Sequence, residues 1–336
     1  MAPPRQEPLV AVVTPVHDGA AHLRRCMESV LRQEYENWIH LVVDNASRDR
    51  TLAIAEEVAA RDDRIVVRSH HAFVGMVKSF NRALSAVPDE AVYVKQLHAD
   101  DTLYPECLRV MVEAAERHPR AAIVTSRRYS GGVLRPERGP DRLALVPGAE
   151  VVRTALLGGV NYLGTPSLPL LRRERMAGWP VLFDPRPFPP CHPAEPPFCH
   201  ADKQAYLATL EKADLVFVPR ALLDQRRDSA SATGFAQRVG GWHPSRVELL
   251  LRHGSRLLER GELLGGVRRA ALRYARSLAV RIGHAGALRD PEFVRYQALA
   301  TEHVVERLRE SGHRAEALLI APFAALLRRA AARAAA

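Results

Sequence analysis

The chain has 336 residues, of which 47% are hydrophobic and 26% charged, as expected for a globular protein with a packed core. Its net charge of +10 fits three partners: nucleic acid, an anionic membrane surface or a nucleotide. We predict no nucleic acid partner, because the sequence has no RNA-binding aromatic motif, zinc finger or helix-turn-helix signature. It also has neither a signal peptide nor the ~20-residue apolar run of a transmembrane segment, which predicts a cytoplasmic location.

Strands and helices alternate along the first 130 residues. Continuous apolar runs predict five strands, over residues 9–14, 38–44, 64–69, 91–97 and 121–128. Apolar residues at helical spacing predict four intervening helices, over residues 21–33, 50–60, 75–86 and 105–117. Such alternation with short connections is typical of βαβ units. We therefore predict an α/β fold with a mostly parallel sheet and helices on both faces.

The rest of the chain divides into two parts. Residues 131–235 are less regular and continue the first domain. A loop over residues 130–148 opens this part, and a less regular region follows it. That region includes the Pro-dense stretch 180–198, which we interpret as an active-site flap or acceptor loop. Residues 236–336 form a C-terminal helical appendage. We expect the apolar residues of its tail, 315–336, to pack onto the core or onto a second copy of the chain, giving a homodimer, in preference to anionic lipid.

Polar side chains cluster where three of the predicted strands end. They occupy residues 14–18, 44–49 and 98–101. Because ligands of open α/β sheets bind outside the carboxyl ends of the strands, we expect a binding site there. Asp44 ends an apolar strand, where a carboxylate is costly unless it meets a donor such as a uracil N–H or a ribose hydroxyl. Capping of the following helix is an alternative role for this cluster.

Two adjacent carboxylates, Asp100 and Asp101, follow the fourth predicted strand. They repel each other unless a cation lies near both. Hard oxygen ligands suit Mg²⁺ or Mn²⁺, and a metal held here could bridge a diphosphate. The alternative is that the pair caps the helix predicted to begin at Pro105. We predict a divalent metal, Mn²⁺ or Mg²⁺, on Asp100 and Asp101.

Four segments, in this order and spacing, resemble the family 2 glycosyltransferases of the GT-A fold. They are TPVHD at 14–18, SVLRQEYENWIHLVVDNASRD at 29–49, VGMVKSFNRAL at 74–84 and LHADD at 97–101. Weaker likeness extends to Asn161, Gly164, Pro166 and Ser167, which resemble a segment that closes the acceptor side in the family, and to RRDSASAT at 226–233. The likeness ends near residue 235.

The resemblance implies an inverting enzyme that moves a sugar from a nucleotide-sugar donor, expected to be a UDP-sugar, to a hydroxyl of a small-molecule or glycan acceptor. It implies a nucleotide-sugar-binding half over residues 1–130 and an acceptor-side, catalytic part over 131–235. Asp202 matches the position of the family's catalytic base, and Asp100 and Asp101 match its metal ligands. The nucleotide-sugar-binding residues that we predict are Thr14, Pro15, Val16, Asp18, Asp44, Asn45, Lys78, Asn81, His98, Ala99, Asp100, Asp101 and Arg227.

Three positions depart from the family pattern. His98 replaces the first Asp of the D-x-D motif, Asn45 replaces an Asp, and Asp228 stands where His is common. An imidazole ligand suits Mn²⁺ better than Mg²⁺. Of the two carboxylates we favour Asp100 as the metal ligand, with Asp101 on the ribose or the metal.

Other functions leave different signatures. A sugar nucleotidyltransferase needs a Gly-rich basic loop after the first strand, and a nicotinamide-dependent dehydrogenase needs G-x-G-x-x-G there. Residues 14–20 supply neither. A non-catalytic protein that binds a nucleotide-sugar or a glycan remains an alternative, and His98 is its best support.

Overall fold

The computed structural model describes residues 7–135, 139–184, 201–226, 232–284 and 286–335. Arg227, Asp228 and most of the Pro-dense stretch lie outside the described residues, so their predicted roles stay predictions. The described residues form two compact units. The first holds those of Met1–Phe183 and Ala205–Arg227, and the second those of Asp184–Gln204 and Asp228–Ala336.

A mixed sheet organises the first unit. Its described strands are β1 (Val10–Val16), β2 (Trp38–Asn45), β3 (Ile65–His70), β4 (Tyr93–Gln96), β5 (Thr102–Leu103), β6 (Ala121–Ser130), β7 (Val133–Leu134), β8 (Ala144–Val146), β9 (Leu170–Arg172) and β10 (Asp214–Gln225). They lie in the order β3-β2-β1-β4-β9-β6-β10-β5, with β7 beside β6 and β8 beside β10.

Eleven helices accompany the sheet among the described residues. They are α1 (Leu23–Leu31), α2 (Thr51–Ala59), α3 (Met76–Leu84), α4 (Cys107–Arg117), α5 (Gly148–Leu157), α6 (Ala201–Leu210), α7 (Ala232–Val239), α8 (Trp242–Leu257), α9 (Arg260–Gly283), α10 (Pro291–Glu310) and α11 (Arg314–Ala335). The five strands and four helices predicted before residue 130 are all confirmed, with ends shifted by one to a few residues.

The strands that carry the predicted site run parallel. β1 pairs with β2 on one side and β4 on the other, and β2 pairs with β3, all in parallel. The short strand β9 runs antiparallel between β4 and β6, and β6 then pairs in parallel with β10. The predicted α/β fold is therefore confirmed, with antiparallel strands added beyond β4.

β1 is buried on both faces, which explains why its sequence is a continuous apolar run. Val10 and Val12 pack in a core cluster with residues of α1, α2 and α4. Because strand side chains alternate, Ala11 and Val13 face the other side, where α3 packs against β1 and β2. The predicted helices on both faces are confirmed.

The region read as irregular holds more structure than the sequence predicted. The loop expected over 130–148 is wrong in part, because β7 and β8 lie within it and α5 begins at its end. The long strand β10 was missed because Pro219 lies inside it. A proline cannot donate a ladder hydrogen bond, and the pairing of β10 with β6 shifts register between Val218 and Ala221.

The second unit is helical, as predicted for the end of the chain. Its core includes Val247, Tyr274, Tyr296 and Val304, each at most 2% exposed. Glu248 is buried among these helices and accepts a hydrogen bond from Arg307. Among the described residues, no helix is both long enough and apolar enough to cross a membrane.

Candidate active site

The three polar clusters predicted from the sequence meet at one edge of the first unit's sheet. The β1–β2 register places Val16 beside Asp44, so the segments that follow both strands leave the sheet together. β4 leaves at the same edge, because Gln96 pairs with Val13 and the next residue, Leu97, donates to the carbonyl of Val13. Parallel strands thus bring residues 14–18, 44–49 and 98–101 to one place.

The loops after β1 and β2 are connected to each other by hydrogen bonds. The backbone N–H of Asp18 donates to the Ser47 hydroxyl at 2.9 Å, and the Asp18 carboxylate accepts from the N–H of Arg48 at 2.7 Å. Asp49 accepts from the N–H of Ala20 at 3.0 Å. Asp18 has a left-handed backbone with φ of 48°, which Asp tolerates better than most residues. Its carboxylate therefore supports the neighbouring loop.

Two asparagines hold loops in the same way. The Asn45 amide donates to the carbonyl of Val74 at 2.7 Å and accepts from the N–H of Val74 at 3.0 Å. The Asn81 amide donates to the carbonyl of Phe183 at 2.8 Å and accepts from its N–H at 3.1 Å. Each of these two side chains was predicted to bind the donor, and each makes two hydrogen bonds to the backbone of a single residue.

Asp44 is buried beside these loops, with 2% of the residue exposed. Its carboxylate accepts from the Ser69 hydroxyl at 3.0 Å, and the N–H of Ser47 lies 3.3 and 3.4 Å from its two oxygens. The Ser47 contacts are long for N–H···O bonds, so the carboxylate has capacity for a further donor.

Thr14, Pro15 and Val16 are buried in β1. The Thr14 hydroxyl lies 2.9 Å from Nε2 of His40, and burial lowers the pKa of His40 to about 3, so the imidazole is neutral. The Thr14 side chain therefore contacts a buried residue of the neighbouring strand β2. These three residues shape the site through their backbone and the loop that follows them.

The turn after β4 has buried polar atoms without hydrogen-bond partners in the described part of the chain. Asp101 is 1% exposed, and its Oδ1 accepts from the N–H of Arg226 at 3.0 Å. Its Oδ2 is buried and has no hydrogen-bond partner among the described residues, and the same holds for Nε2 of His98. Burial raises the pKa of Asp101 to about 6, and the negative charge of Asp100 adds to the shift, whereas His98 and hydrogen bonds from the Ser167 hydroxyl and the N–H of Arg226 oppose it. A buried polar atom without a partner calls for an explanation, and a bound ion or water would supply one here.

These side chains form a compact set of metal-type donors. One ligand atom from each of His98, Asp100 and Asp101 can be chosen so that all lie within 4.8 Å of one another. One nitrogen and two carboxylate oxygens fit Mn²⁺, because an imidazole ligand is less suited to Mg²⁺. The donor set and its two unpartnered atoms therefore fit a divalent cation.

Neighbouring residues fix the shape of this turn. The N–H of His98 donates to the Ser167 hydroxyl at 3.0 Å, and the Lys95 ammonium donates to the Leu168 carbonyl at 2.6 Å. The Phe80 ring lies 5.3 Å from that of His98 and 5.7 Å from that of Phe183. The turn is thus held against the segment around residue 167 and against α3.

An open cavity lies beside α3. It has a volume of about 500 Å³ and is lined by His70, Lys78, Asn81, Arg82 and Ser85. Lys78 and Arg82 are exposed on α3, and His70 ends β3 next to Asn45 on β2. The positive charge of its lining suits an anionic group. This charge is consistent with the predicted role of Lys78 in binding the nucleotide-sugar.

The remaining predicted residues are only partly placed. Ala99 belongs to the turn after β4, and Asp202 lies in the first turn of α6. Sequence reasoning gave no role to Ser69 or His40. Ser69 lies at the end of a predicted strand, and the tendency of ligands to bind at strand ends could have identified it. His40 lies inside a strand, where no sequence feature marks it.

Comparisons with known sequences identify similar proteins for the first half of the chain. Residues 11–176 match the family model described as glycosyl transferase family 2. The chain is 33% identical over 151 residues to the O-antigen biosynthesis protein RfbC of Myxococcus xanthus, covering 42% of this chain and 12% of that protein. It is 29% identical over 160 residues to the putative glycosyltransferase EpsE of Bacillus subtilis, covering 47% and 53%. The match spans about half or less of these relatives' lengths.

Solved structures share the fold at low identity. S. aureus TarS 1–349 in complex with UDP aligns with a TM-score of 0.62 and 15% identity, covering 96% of this chain and 87% of that one. The mannosyltransferase PcManGT from Pyrobaculum calidifontis, in complex with GDP-Man and Mn²⁺, aligns with a TM-score of 0.54 and 16% identity, covering 96% and 88%. At these identities the likeness shows the fold alone.

Proposed function

Since the chain belongs to glycosyl transferase family 2 and has the GT-A fold, we propose that it transfers a sugar from a UDP-sugar to an acceptor hydroxyl and inverts the anomeric centre. The observation that carries this proposal is the turn after β4. There a buried carboxylate oxygen of Asp101 and the Nε2 of His98 have no hydrogen-bond partner in the part of the chain that the structure describes, at the sheet edge where β1, β2 and β4 end.

On the donor side, Asp44 has room for a hydrogen bond from the base or the ribose. The cations of the cavity beside α3, Lys78 among them, favour the negative charge of the diphosphate. Asn45 and Asn81 act as positioning residues, because their amides bind the Val74 and Phe183 backbones. That neighbours of this fold are solved with UDP and with GDP-Man supports a nucleotide-sugar donor.

His98, Asp100 and Asp101 would hold the divalent cation. When bound, such a cation supplies positive charge that stabilises the departing diphosphate. The protein's own contribution is to keep the three ligands in a fixed turn, through the Ser167 hydroxyl and the N–H of Arg226. The Mn²⁺ in the PcManGT structure supports this assignment, and the histidine favours Mn²⁺ over Mg²⁺.

The proton of the acceptor hydroxyl must pass to a base during the displacement. We assign this role to Asp202, in the first turn of α6, where the helix N-terminus favours the ionised carboxylate. Sugar transfer passes through an oxocarbenium-like state, and a single displacement assisted by one base inverts the anomeric centre.

Calorimetry and thermal shift test the donor site. The protein is titrated with UDP, and then with UDP-, dTDP- and GDP-sugars, in chelator, in Mg²⁺ and in Mn²⁺. UDP with Mn²⁺, at ~100 times its dissociation constant, should stabilise the fold by about 2.7 kcal/mol. Replacement of His98 by Asp should raise UDP affinity in Mg²⁺ relative to Mn²⁺.

Two results would contradict the proposal. UDP binding that is equal in chelator and in Mn²⁺ would remove the metal site. Tight, Mn²⁺-dependent binding without hydrolysis or transfer of any donor sugar would favour the non-catalytic binding protein.

A further inference from the structure

A lysine lies in the hydrophobic core of the first unit, three residues before His98. Side chains alternate along a strand, so Lys95 of β4 shares a face with Tyr93 and Leu97, which belong to the core cluster. Lys95 is 0% exposed, and its ammonium lies 3.6 Å from Sδ of Met111 on α4. Burial of a charged group is far more costly than burial of an apolar one. A charge at this position therefore needs an explanation.

The partner of this ammonium is a backbone carbonyl. Lys95 donates to the carbonyl of Leu168 at 2.6 Å, and no carboxylate of the described residues forms an ion pair with it. The pairing of β9 with β4 extends only as far as Leu170. At Leu168 a side chain of β4, and not the strand ladder, therefore binds the segment that leads into β9.

The residue before Leu168 binds two of the metal-type ligands. The Ser167 hydroxyl accepts from the N–H of His98 at 3.0 Å, and it also forms a hydrogen bond to the carboxylate of Asp101. Ser167 is itself 0% exposed, so water does not compete for these bonds. Lys95 is thus connected to His98 and Asp101 through one carbonyl and one hydroxyl.

Lys95 could act on a bound cation in two ways. Burial lowers the pKa of Lys95, and Cys107 and Asp101 oppose the shift, so its charge is within electrostatic reach of a cation held by Asp101. That repulsion is the same for Mn²⁺ and Mg²⁺, because both carry two charges. The placing of His98 affects the two ions differently, since an imidazole ligand suits Mn²⁺ better than Mg²⁺. The ratio of the two affinities therefore separates positioning from charge.

We propose that Lys95 determines the metal preference of the site: its bond to Leu168 keeps the Ser167 hydroxyl on the backbone of His98, and His98 is thereby held in place as a ligand for Mn²⁺. This inference rests on the proposed function and adds to it the residue that selects the metal. Lys95 contacts neither the cation nor the donor, so it is a positioning residue. Groups that orient a metal ligand in this way commonly set the affinity of the site.

Metal titration of the full chain tests the proposal, without nucleotide and again with saturating UDP. Binding of Mn²⁺ is followed by electron paramagnetic resonance, which detects the free ion, and binding of Mg²⁺ by its competition with Mn²⁺. We expect the wild type to prefer Mn²⁺, and Lys95→Met to lower the ratio of Mn²⁺ to Mg²⁺ affinity about 10-fold. Ser167→Ala changes no charge and should lower the ratio by a similar factor. The double variant Lys95→Met/Ser167→Ala should lower it no further, because both changes break the same connection.

Arg172→Met is the matched control. Arg172 is a buried cation on β9 whose guanidinium donates to the carbonyls of Ala115 and Ala121 at 2.9 and 3.3 Å. It pairs with Tyr93, at the end of β4 away from the turn. Arg172→Met should lower the melting temperature as Lys95→Met does, because each variant leaves a buried carbonyl without its donor. It should keep the metal preference of the wild type.

A second substitution covers the case in which Lys95→Met does not fold. Lys95→Gln keeps a polar group in the core, but its side chain is one atom shorter, so its amide stops short of the Leu168 carbonyl. We expect it to lower the ratio as well.

Three results would overturn the inference. A purely structural lysine would lose melting temperature in Lys95→Met and keep the wild-type ratio. A lysine that acts by charge alone would give a variant with both affinities raised together. Additive losses in the double variant would show that Lys95 does not act through Ser167. Failure of the proposed metal site is distinguishable from all three, because the wild type itself would then bind neither ion, with or without UDP.

Discussion

Two polar clusters at the same sheet edge differ in how completely the protein satisfies them. In the loops after β1 and β2, the carboxylates of Asp18 and Asp49 and the amide of Asn45 all bind backbone groups. In the turn after β4, buried atoms of His98 and Asp101 have no partner among the described residues. Similar residue types therefore serve two purposes. The three loop side chains support the backbone around them, whereas the buried atoms of the turn are available to a ligand.

The difference has an energetic meaning. A buried polar atom without a partner costs about 1–3 kcal/mol, and folded proteins keep such atoms mainly where function requires them. Substitution in the satisfied loops should therefore destabilise the fold. Substitution in the turn should leave stability nearly intact and remove the ligand.

The largest effect is expected at Asp202, a carboxylate outside both clusters for which the same question arises. A side chain that only caps α6 tolerates Asn, because Asn also caps well. A base does not, because an amide cannot accept the proton, and loss of a general base costs about 10²–10⁴-fold in rate. We expect Asp202→Asn to keep its melting temperature and donor affinity while turnover falls by that factor. Turnover within a few-fold of the wild type would move the base elsewhere.

Asp101→Asn should separate ligand binding from folding. The Asn can keep the bond from the N–H of Arg226 but cannot hold a cation as a carboxylate does. We expect an unchanged melting temperature without ligand, loss of Mn²⁺-dependent UDP stabilisation, and a fall in turnover of about 10²–10³-fold. The matched control is Asp49→Asn in the satisfied loops, where the melting temperature should fall and Mn²⁺ dependence should persist. The reverse pattern would refute the division between the clusters.

The sequence predicted where these clusters lie because strand ends are encoded locally. Predicted strands that end at Thr14, Asp44 and Leu97 identify the edge, and parallel pairing follows from the βαβ alternation. It could not show which polar atoms would be satisfied. The partner of Asn45 is the backbone of Val74, and the partner of Asn81 is the backbone of Phe183, 102 residues away. Backbone partners leave no mark in side-chain patterns.

The same limit explains what the sequence left out of the sheet. β9 has three residues, too few to show the alternating pattern of a strand. Its pairing with β4 and β6 depends on residues that are distant in sequence. β10 was hidden by Pro219, which sequence rules count against a strand. Neither strand lies among the predicted site residues, so the site could be located without them.

The smallest expected effect, and the one that bears most directly on the comparison, is at Asn45. The family resemblance implies that this residue binds the donor. Its amide instead makes two hydrogen bonds to the backbone of Val74, and the residue is only 3% exposed. Asn45→Ala leaves the N–H and carbonyl of Val74 unpaired, which should cost about 1–3 kcal/mol. In a unit of this size each kcal/mol lowers the melting temperature by about 2–4 °C. Asn45→Asp should cost nearly as much, because a carboxylate oxygen would then face the Val74 carbonyl.

Asn81→Ala, which frees the Phe183 backbone instead, is the matched control, and its melting temperature should fall by a similar amount. A positioning role requires that donor affinity and melting temperature fall together in all three variants. If Asn45→Ala lost UDP affinity with its melting temperature unchanged, Asn45 would contact the donor directly, and the satisfied cluster would be part of the ligand site after all.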